Sequence, residues 1–123
     1  MITQRRQIGD VGEEKACRYL ISKGYSILQR NYATKFGEID ILARKGGRII
    51  FVEVKTGYVG YGIRPEENLT ARKLGRFLKA VRVYLVKERV PDSQEWQIDG
   101  ISVLLNRVTG NEEITHFENI NIK

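Results

Sequence analysis

Asp40, Glu53 and Lys55 are the residues whose types and spacing could do chemistry in this chain. The segment from Glu38 to Ala43 alternates as a strand does, and Arg48 to Lys55 reads as a second strand. Between them, Lys45-Gly46-Gly47-Arg48 carries the signal of a two-residue hairpin turn. With Gly46 and Gly47 in the turn, Lys45 pairs with Arg48, and Asp40 falls directly across from Glu53. Glu38 then falls across from Lys55. Directly opposed Cβ atoms lie roughly 4.5–5.5 Å apart, and like charges there are destabilising. A hard divalent cation held by carboxylate oxygens would compensate the pair. So would Lys55, either in a plain Glu38–Lys55 ion pair or by neutralising Asp40 and Glu53 together. Spacing alone leaves both readings open. Alternation also places Glu38, Asp40 and Leu42 on one face, with Ile39, Ile41 and Ala43 on the other.

Such a hairpin needs elements to position it. The chain has 123 residues, 41% hydrophobic and 29% charged, which suits one domain over residues 1–123 with a core that needs no staples. A helix is expected over residues 10–23. Asp10 and Glu13 have capping-box spacing, Ala16, Cys17, Leu20 and Ile21 recur at helical spacing, and Gly24 suits the C-terminus. Glu13 therefore has two readings, as a capping residue or as a carboxylate on the Ala16/Leu20 stripe facing the sheet. A strand over Tyr25–Tyr32 precedes the hairpin, and residues 56–68 read as a loop. A second helix runs from Thr70 to about Arg89, with Leu74, Phe77, Leu78, Val81 and Leu85 on one face. Strands Trp96–Leu105 and Glu112–Glu118 complete the order αβββαββ, a mixed sheet with two helices in the α/β or α+β class.

Charge points to the partner. Lys and Arg number 21 against 15 Asp and Glu, net +6, with a pI near 9.6. Residues 1–91 hold 19 of those cations and 9 of the acids, a net +10, while residues 92–123 are net −4. A polyanion is the partner this distribution favours. Disorder and a membrane span are excluded by the even spread of apolar residues. The single Cys17 and the lack of a signal core after Met1 lead us to expect a cytoplasmic protein. One Cys and one His, His116, also exclude the usual Cys/His zinc sites, so a metal should be a hard cation held by carboxylates. Gly57, Gly60 and Gly62 lack the strand–glycine–helix context of a dinucleotide site.

Asp40 followed by Glu53-Val54-Lys55, after a helix bearing Glu13, resembles the PD-(D/E)XK nuclease superfamily of restriction endonucleases and archaeal Holliday-junction resolvases. The closer resemblance is to the YraN-type bacterial family of predicted endonucleases. It is carried by Gly12-Glu13, Ala16, Tyr19-Leu20, Gly24-Tyr25, Arg30-Asn31, Gly37-Glu38-Ile39-Asp40 and Phe51-Val52-Glu53-Val54-Lys55-Thr56. It continues through Lys73, Tyr84-Leu85 and Ile101-Ser102-Val103, nearly the whole chain. Ile39 replaces the proline of the superfamily motif. Gly57 stands where the YraN family often has a basic residue, so phosphate contact would fall to Arg64 or Lys35.

The resemblance implies a restriction-endonuclease-like αβββαβ core with an extra C-terminal strand. It implies hydrolysis of DNA phosphodiesters with Mg²⁺ or Mn²⁺, in structured, branched or single-stranded DNA. Asp40, Glu53, the Val54 carbonyl and Glu13 would hold the metal, and Lys55 would orient water or stabilise the transition state. The basic surface, with Arg72, Lys73, Arg76 and Lys79 beside Lys35 and Arg64, would contact phosphates. Tyr58 and Tyr61 could stack on bases. Other readings are a non-catalytic nucleic-acid-binding module on the same fold, and an adaptor for an acidic protein. By analogy with resolvases the chain could act as a homodimer.

Overall fold

Two glycines with left-handed backbone, Gly46 at φ 59° and Gly47 at φ 77°, turn the central hairpin as a type I′ turn requires. The expected register follows, from Lys45↔Arg48 to Ile41↔Val52. The structure, a computed structural model, describes residues 4–62, 64–69 and 74–120. In order, its elements are α1 (Gln4–Ser22), β1 (Ser26–Thr34), β2 (Gly37–Lys45) and β3 (Arg48–Tyr58). The short α2 (Pro65–Asn68), α3 (Gly75–Lys87), β4 (Trp96–Leu105) and β5 (Glu112–Phe117) follow.

The five strands form one sheet in the order β1-β2-β3-β4-β5. Three of its pairings are antiparallel, and β3–β4 is parallel. A parallel neighbour demands a crossover, and α2 and α3 occupy that connection. Helix α1 covers one face, packing Ala16, Cys17 and Leu20 on Ile41, Ala43, Val52, Ile101 and Val103. Helix α3 covers the other, packing Phe77, Ala80 and Val81 with Ile39, Leu42, Phe51 and Ile98. Each fully buried Val, Leu, Ile or Phe among these stabilises the fold by ~1.5–3 kcal/mol. The result is an α/β fold with a mixed sheet between helices, a restriction-endonuclease-like core. No described helix is long and apolar enough to cross a membrane.

Several expected boundaries move. Helix α1 begins by Gln4, so Asp10 and Glu13 lie inside it and form no capping box. Gly9 and Gly12 also lie inside the helix. The reason for Gly12 is tertiary: a Cβ there would overlap the Thr56 hydroxyl at the end of β3. At the other end Gly24 (φ 90°) behaves as expected, with Tyr25 N–H donating to the Leu20 carbonyl and Gly24 N–H to Ile21. Strand β3 runs on to Tyr58 inside the expected loop, and Pro65 starts α2 there. Thr70–Lys73, including the expected phosphate contacts Arg72 and Lys73, lie outside the described residues.

Candidate active site

The β2–β3 ladder stops one step short of the two carboxylates. Its last pair is Ile41↔Val52, and Asp40 and Glu53 come next. There Asp40 Oδ2 accepts the Val54 N–H at 2.8 Å, so a side chain takes the place of a strand partner. On its other edge β3 stays paired with β4 throughout, through Glu53↔Gly100 and Lys55↔Ser102. The hairpin therefore opens at Asp40, which corrects the expectation that its pairing runs on to Glu38 and Lys55.

Face alternation also breaks there. Ile41 and Ala43 pack on the α1 side, but Ile39 packs on the α3 side with Leu42. Next to it, Asn31 sits in β1 with a left-handed backbone (φ 55°) between Arg30↔Ile41 and Tyr32↔Ile39. Asparagine tolerates that conformation better than most residues. With its amide turned to donate, Asn31 reaches Glu13 Oε1 at 2.9 Å and Glu38 Oε2 at 3.2 Å. Glu38 is thus tied to Asn31, whereas Lys55 Nζ pairs with Glu53 Oε1 at 3.0 Å.

A cleft of about 440 Å³ results, lined by Glu13, Glu38, Asp40, Glu53, Lys55 and Arg76, with Phe36 and Phe77 among its apolar walls. Glu13 reaches it because the close Gly12–Thr56 approach seats α1 on the end of β3. Arg76 is aimed by its Nε, which donates to the Phe36 carbonyl at 2.5 Å. Burial, and then the charge of Glu53, pushes the Asp40 carboxyl up to about 8. Burial also raises Glu53 against the pull of Lys55, and raises Glu13 against that of Arg30. Beside Lys55 in the β3–β4 register, Ser102 Oγ is buried without a hydrogen bond.

The structure therefore brings Glu13, Asp40, Glu53, Lys55 and Arg76 together. Val54 gives its N–H to Asp40 and packs its side chain into the α1-side core. Lys35 and Lys79 lie next door, their ammoniums 5.3 and 5.7 Å from the Phe36 ring centre. Arg64 is exposed ahead of α2 and lines no wall of the cleft. Tyr58 lies under the Arg107 guanidinium at 3.9 Å.

A second cluster was missed. Asp99, His116 and Glu118 are close enough to hold a metal ion, their ligand atoms all within 4.8 Å of one another. The Glu13, Asp40 and Glu53 oxygens do not gather that closely. Sequence reasoning did not reach this cluster, because it is antiparallel β4–β5 pairing that brings His116 beside Ile101 and near Asp99. The cluster is internally satisfied. His116 Nε2 is 2.7 Å from Asp99 Oδ2, and its Nδ1 is 3.3 Å from the Tyr19 hydroxyl. Asp99 Oδ1 accepts from Gln97 Nε2 and Asn119 N, and Tyr25 donates to Glu118 Oε1. Burial and the charges of Asp99 and Glu118 push the Tyr25 phenol strongly up.

Residues 12–103 match the model of the uncharacterised protein family UPF0102. This chain belongs to that family. The UPF0102 protein of Clostridium botulinum (strain Loch Maree / Type A3) is 38% identical over 116 residues, 93% of each chain. That of Syntrophomonas wolfei is 41% identical over 114 residues, 93% of this chain and 96% of its own. A third, from Persephonella marina, is 42% identical over 101 residues, 81% of this chain and 85% of its own. UPF0102 is the YraN family that the sequence motifs resemble. The matched span begins at Gly12 and takes in Glu13, Asp40, Glu53 and Lys55. His116 and Glu118 fall beyond its end.

Proposed function

We propose that this chain is a divalent-cation-dependent nuclease that hydrolyses phosphodiester bonds in DNA, structured or branched DNA in particular. The observation that carries this reading is the opening of β2 from β3 at Asp40. It leaves two half-buried carboxylates facing a cleft with one lysine, where continued pairing would have closed it. A fold built for stability alone does not hold Asp40, Glu53 and Glu13 at raised proton affinity around one space.

The donor set fits a hard cation. Among the described residues no hydrogen bond reaches Asp40 Oδ1 or Glu53 Oε2, and with the Val54 carbonyl, and Glu13 directly or through water, they would supply the oxygen ligands that Mg²⁺ or Mn²⁺ prefers. When bound, such an ion supplies Lewis-acid charge at the scissile phosphate and acidifies the attacking water. The chain does the rest. Lys55, held against Glu53, presents a fixed ammonium where charge develops on the phosphoryl oxygens. Asn31 holds Glu13 and Glu38 at the rim, and Arg76 offers a guanidinium to a neighbouring phosphate. Lys35, Arg64, Arg72, Lys73 and Lys79 extend that basic surface for sequence-independent phosphate contact. A homodimer would present two such clefts to the two strands of a junction.

A cleavage assay on labelled junctions, flaps, single strands and duplexes with Mg²⁺ or Mn²⁺ tests the reading. Wild type should cut at least one member, and Asp40→Ala and Lys55→Ala should not. Binding without cutting of any member leaves instead a non-catalytic DNA-binding module, which the same basic surface would serve.

A further inference from the structure

Beyond the cleft, also walled by Phe36, lies a second cavity of about 600 Å³ of which the reading above uses only Lys35 and Lys79. Its floor is apolar: the Phe36 ring with Val83 and Val86 of α3, and Val86 is 80% exposed. Its rim is cationic, made by Lys35, Lys79, Arg82 and Lys87, and no acidic residue lines it. Among the described residues none of these four cations forms a salt bridge.

Helical spacing creates this face. Residues 79, 82, 83 and 86 share a side of α3 opposite the buried Phe77, Ala80 and Val81. The β1–β2 turn stands across from it and is pinned. Thr34 Oγ1 donates to the Gly37 carbonyl and accepts the Phe36 N–H, while Arg76 Nε donates to the Phe36 carbonyl. Phe36 is therefore held in place as a wall common to both cavities.

We infer that this basin binds an unpaired DNA strand leading into or out of the cleft, its bases against Phe36, Val83 and Val86 and its phosphates on the four cations. The inference rests on the DNA-cleaving reading for the direction of the strand. Charge complementarity selects the occupant. A duplex matches the cationic rim but offers the apolar floor no exposed base face, whereas an unpaired strand offers both. A second copy of this basin would bring four more cations against the first four. The substrate class that follows is DNA with an unpaired segment beside the cut: a flap, a fork or a gapped junction.

Fluorescence anisotropy in EDTA, with a labelled oligothymidylate and a duplex of equal length, separates binding from cleavage. Wild type should prefer the oligothymidylate. Phe36→Ala and Val86→Glu, both with wild-type circular dichroism, should weaken it roughly tenfold and change duplex binding less than twofold. Lys79→Glu should weaken both and reduce the salt slope by roughly one. Oligothymidylate affinity within twofold of wild type in Phe36→Ala and Val86→Glu overturns the inference. So does equal loss on duplex, or displacement by polyglutamate as effective as by unlabelled oligothymidylate. Intact basin binding by a protein that cuts nothing with Mg²⁺ or Mn²⁺ sinks the nuclease reading and leaves the basin's preference for unpaired DNA standing.

Discussion

Two clusters of acidic side chains stand in this molecule, and they treat charge in opposite ways. Around the closed one, Asp99 is fully buried, yet its oxygens meet His116, Gln97 and the Asn119 N–H, and Glu118 receives the Tyr25 hydroxyl. In the open one, Asp40, Glu53 and Glu13 are half-buried and raised in proton affinity, and among the described residues the one salt bridge to Asp40 or Glu53 comes from Lys55. Ser102, next to Lys55 in the strand register, has a buried hydroxyl with no partner among the described residues. Although the closed cluster has the tighter ligand geometry, the open one holds the uncompensated charge. Buried polar groups in a structural network find partners, and those left without one mark a site that awaits something.

The comparison breaks most visibly in cleavage. Asp40→Ala or Lys55→Ala should lower the rate of DNA cutting by ~10³-fold, about 4 kcal/mol, while His116→Ala keeps it within a few-fold. The reverse pattern would move the chemistry to the closed cluster. Mn²⁺ discriminates next. At 100 times its dissociation constant it should stabilise wild type by ~2.7 kcal/mol in thermal melts. His116→Gln should retain that gain and Asp40→Asn should lose most of it; a gain that follows His116 instead reassigns the metal.

His116→Ala should destabilise the fold by ~2 kcal/mol in denaturant titrations, because it strips a partner from a buried carboxylate. The smallest expected effect has the opposite sign. Asp40→Asn keeps an acceptor for the Val54 N–H and removes a buried charge, so the metal-free protein should gain on the order of 1 kcal/mol at pH 8, roughly 3–6 °C. The Asp40 pKa is raised in the fold from its ordinary 3.8 to about 8. Its contribution is therefore fully present below pH 4 and is lost as pH rises toward 8, so the gain should vanish near pH 4. A gain independent of pH would show that Asp40 is not the buried charge.

Local chemistry was legible. Gly46-Gly47 admits the positive φ of a type I′ turn, so the hairpin and its register follow from two residues. The helical spacing of Ala16, Cys17 and Leu20, and of Phe77 and Val81, predicted which faces meet the sheet. The motif around Asp40, Glu53 and Lys55 named the family. Events at a distance were not legible. The end of the ladder at Ile41↔Val52 goes with the Asp40 side chain taking the Val54 N–H, and the left-handed Asn31 goes with its contacts to Glu13 and Glu38.

By itself, then, the sequence determined the element types, the hairpin register as far as Ile41↔Val52 and the carboxylates that line one cleft. Those follow from periodicity, turn stereochemistry and composition, all of them local or additive. Only the tertiary structure decided that Asp40 caps β3 and opens the cleft, that Gly12 must be glycine to seat Glu13, and that His116 joins Asp99. It also decided that Phe36 stands between two cavities. Each of these is a contact between residues far apart in the chain. Its geometry is set by how sheet and helices pack, which no spacing along one strand or helix encodes.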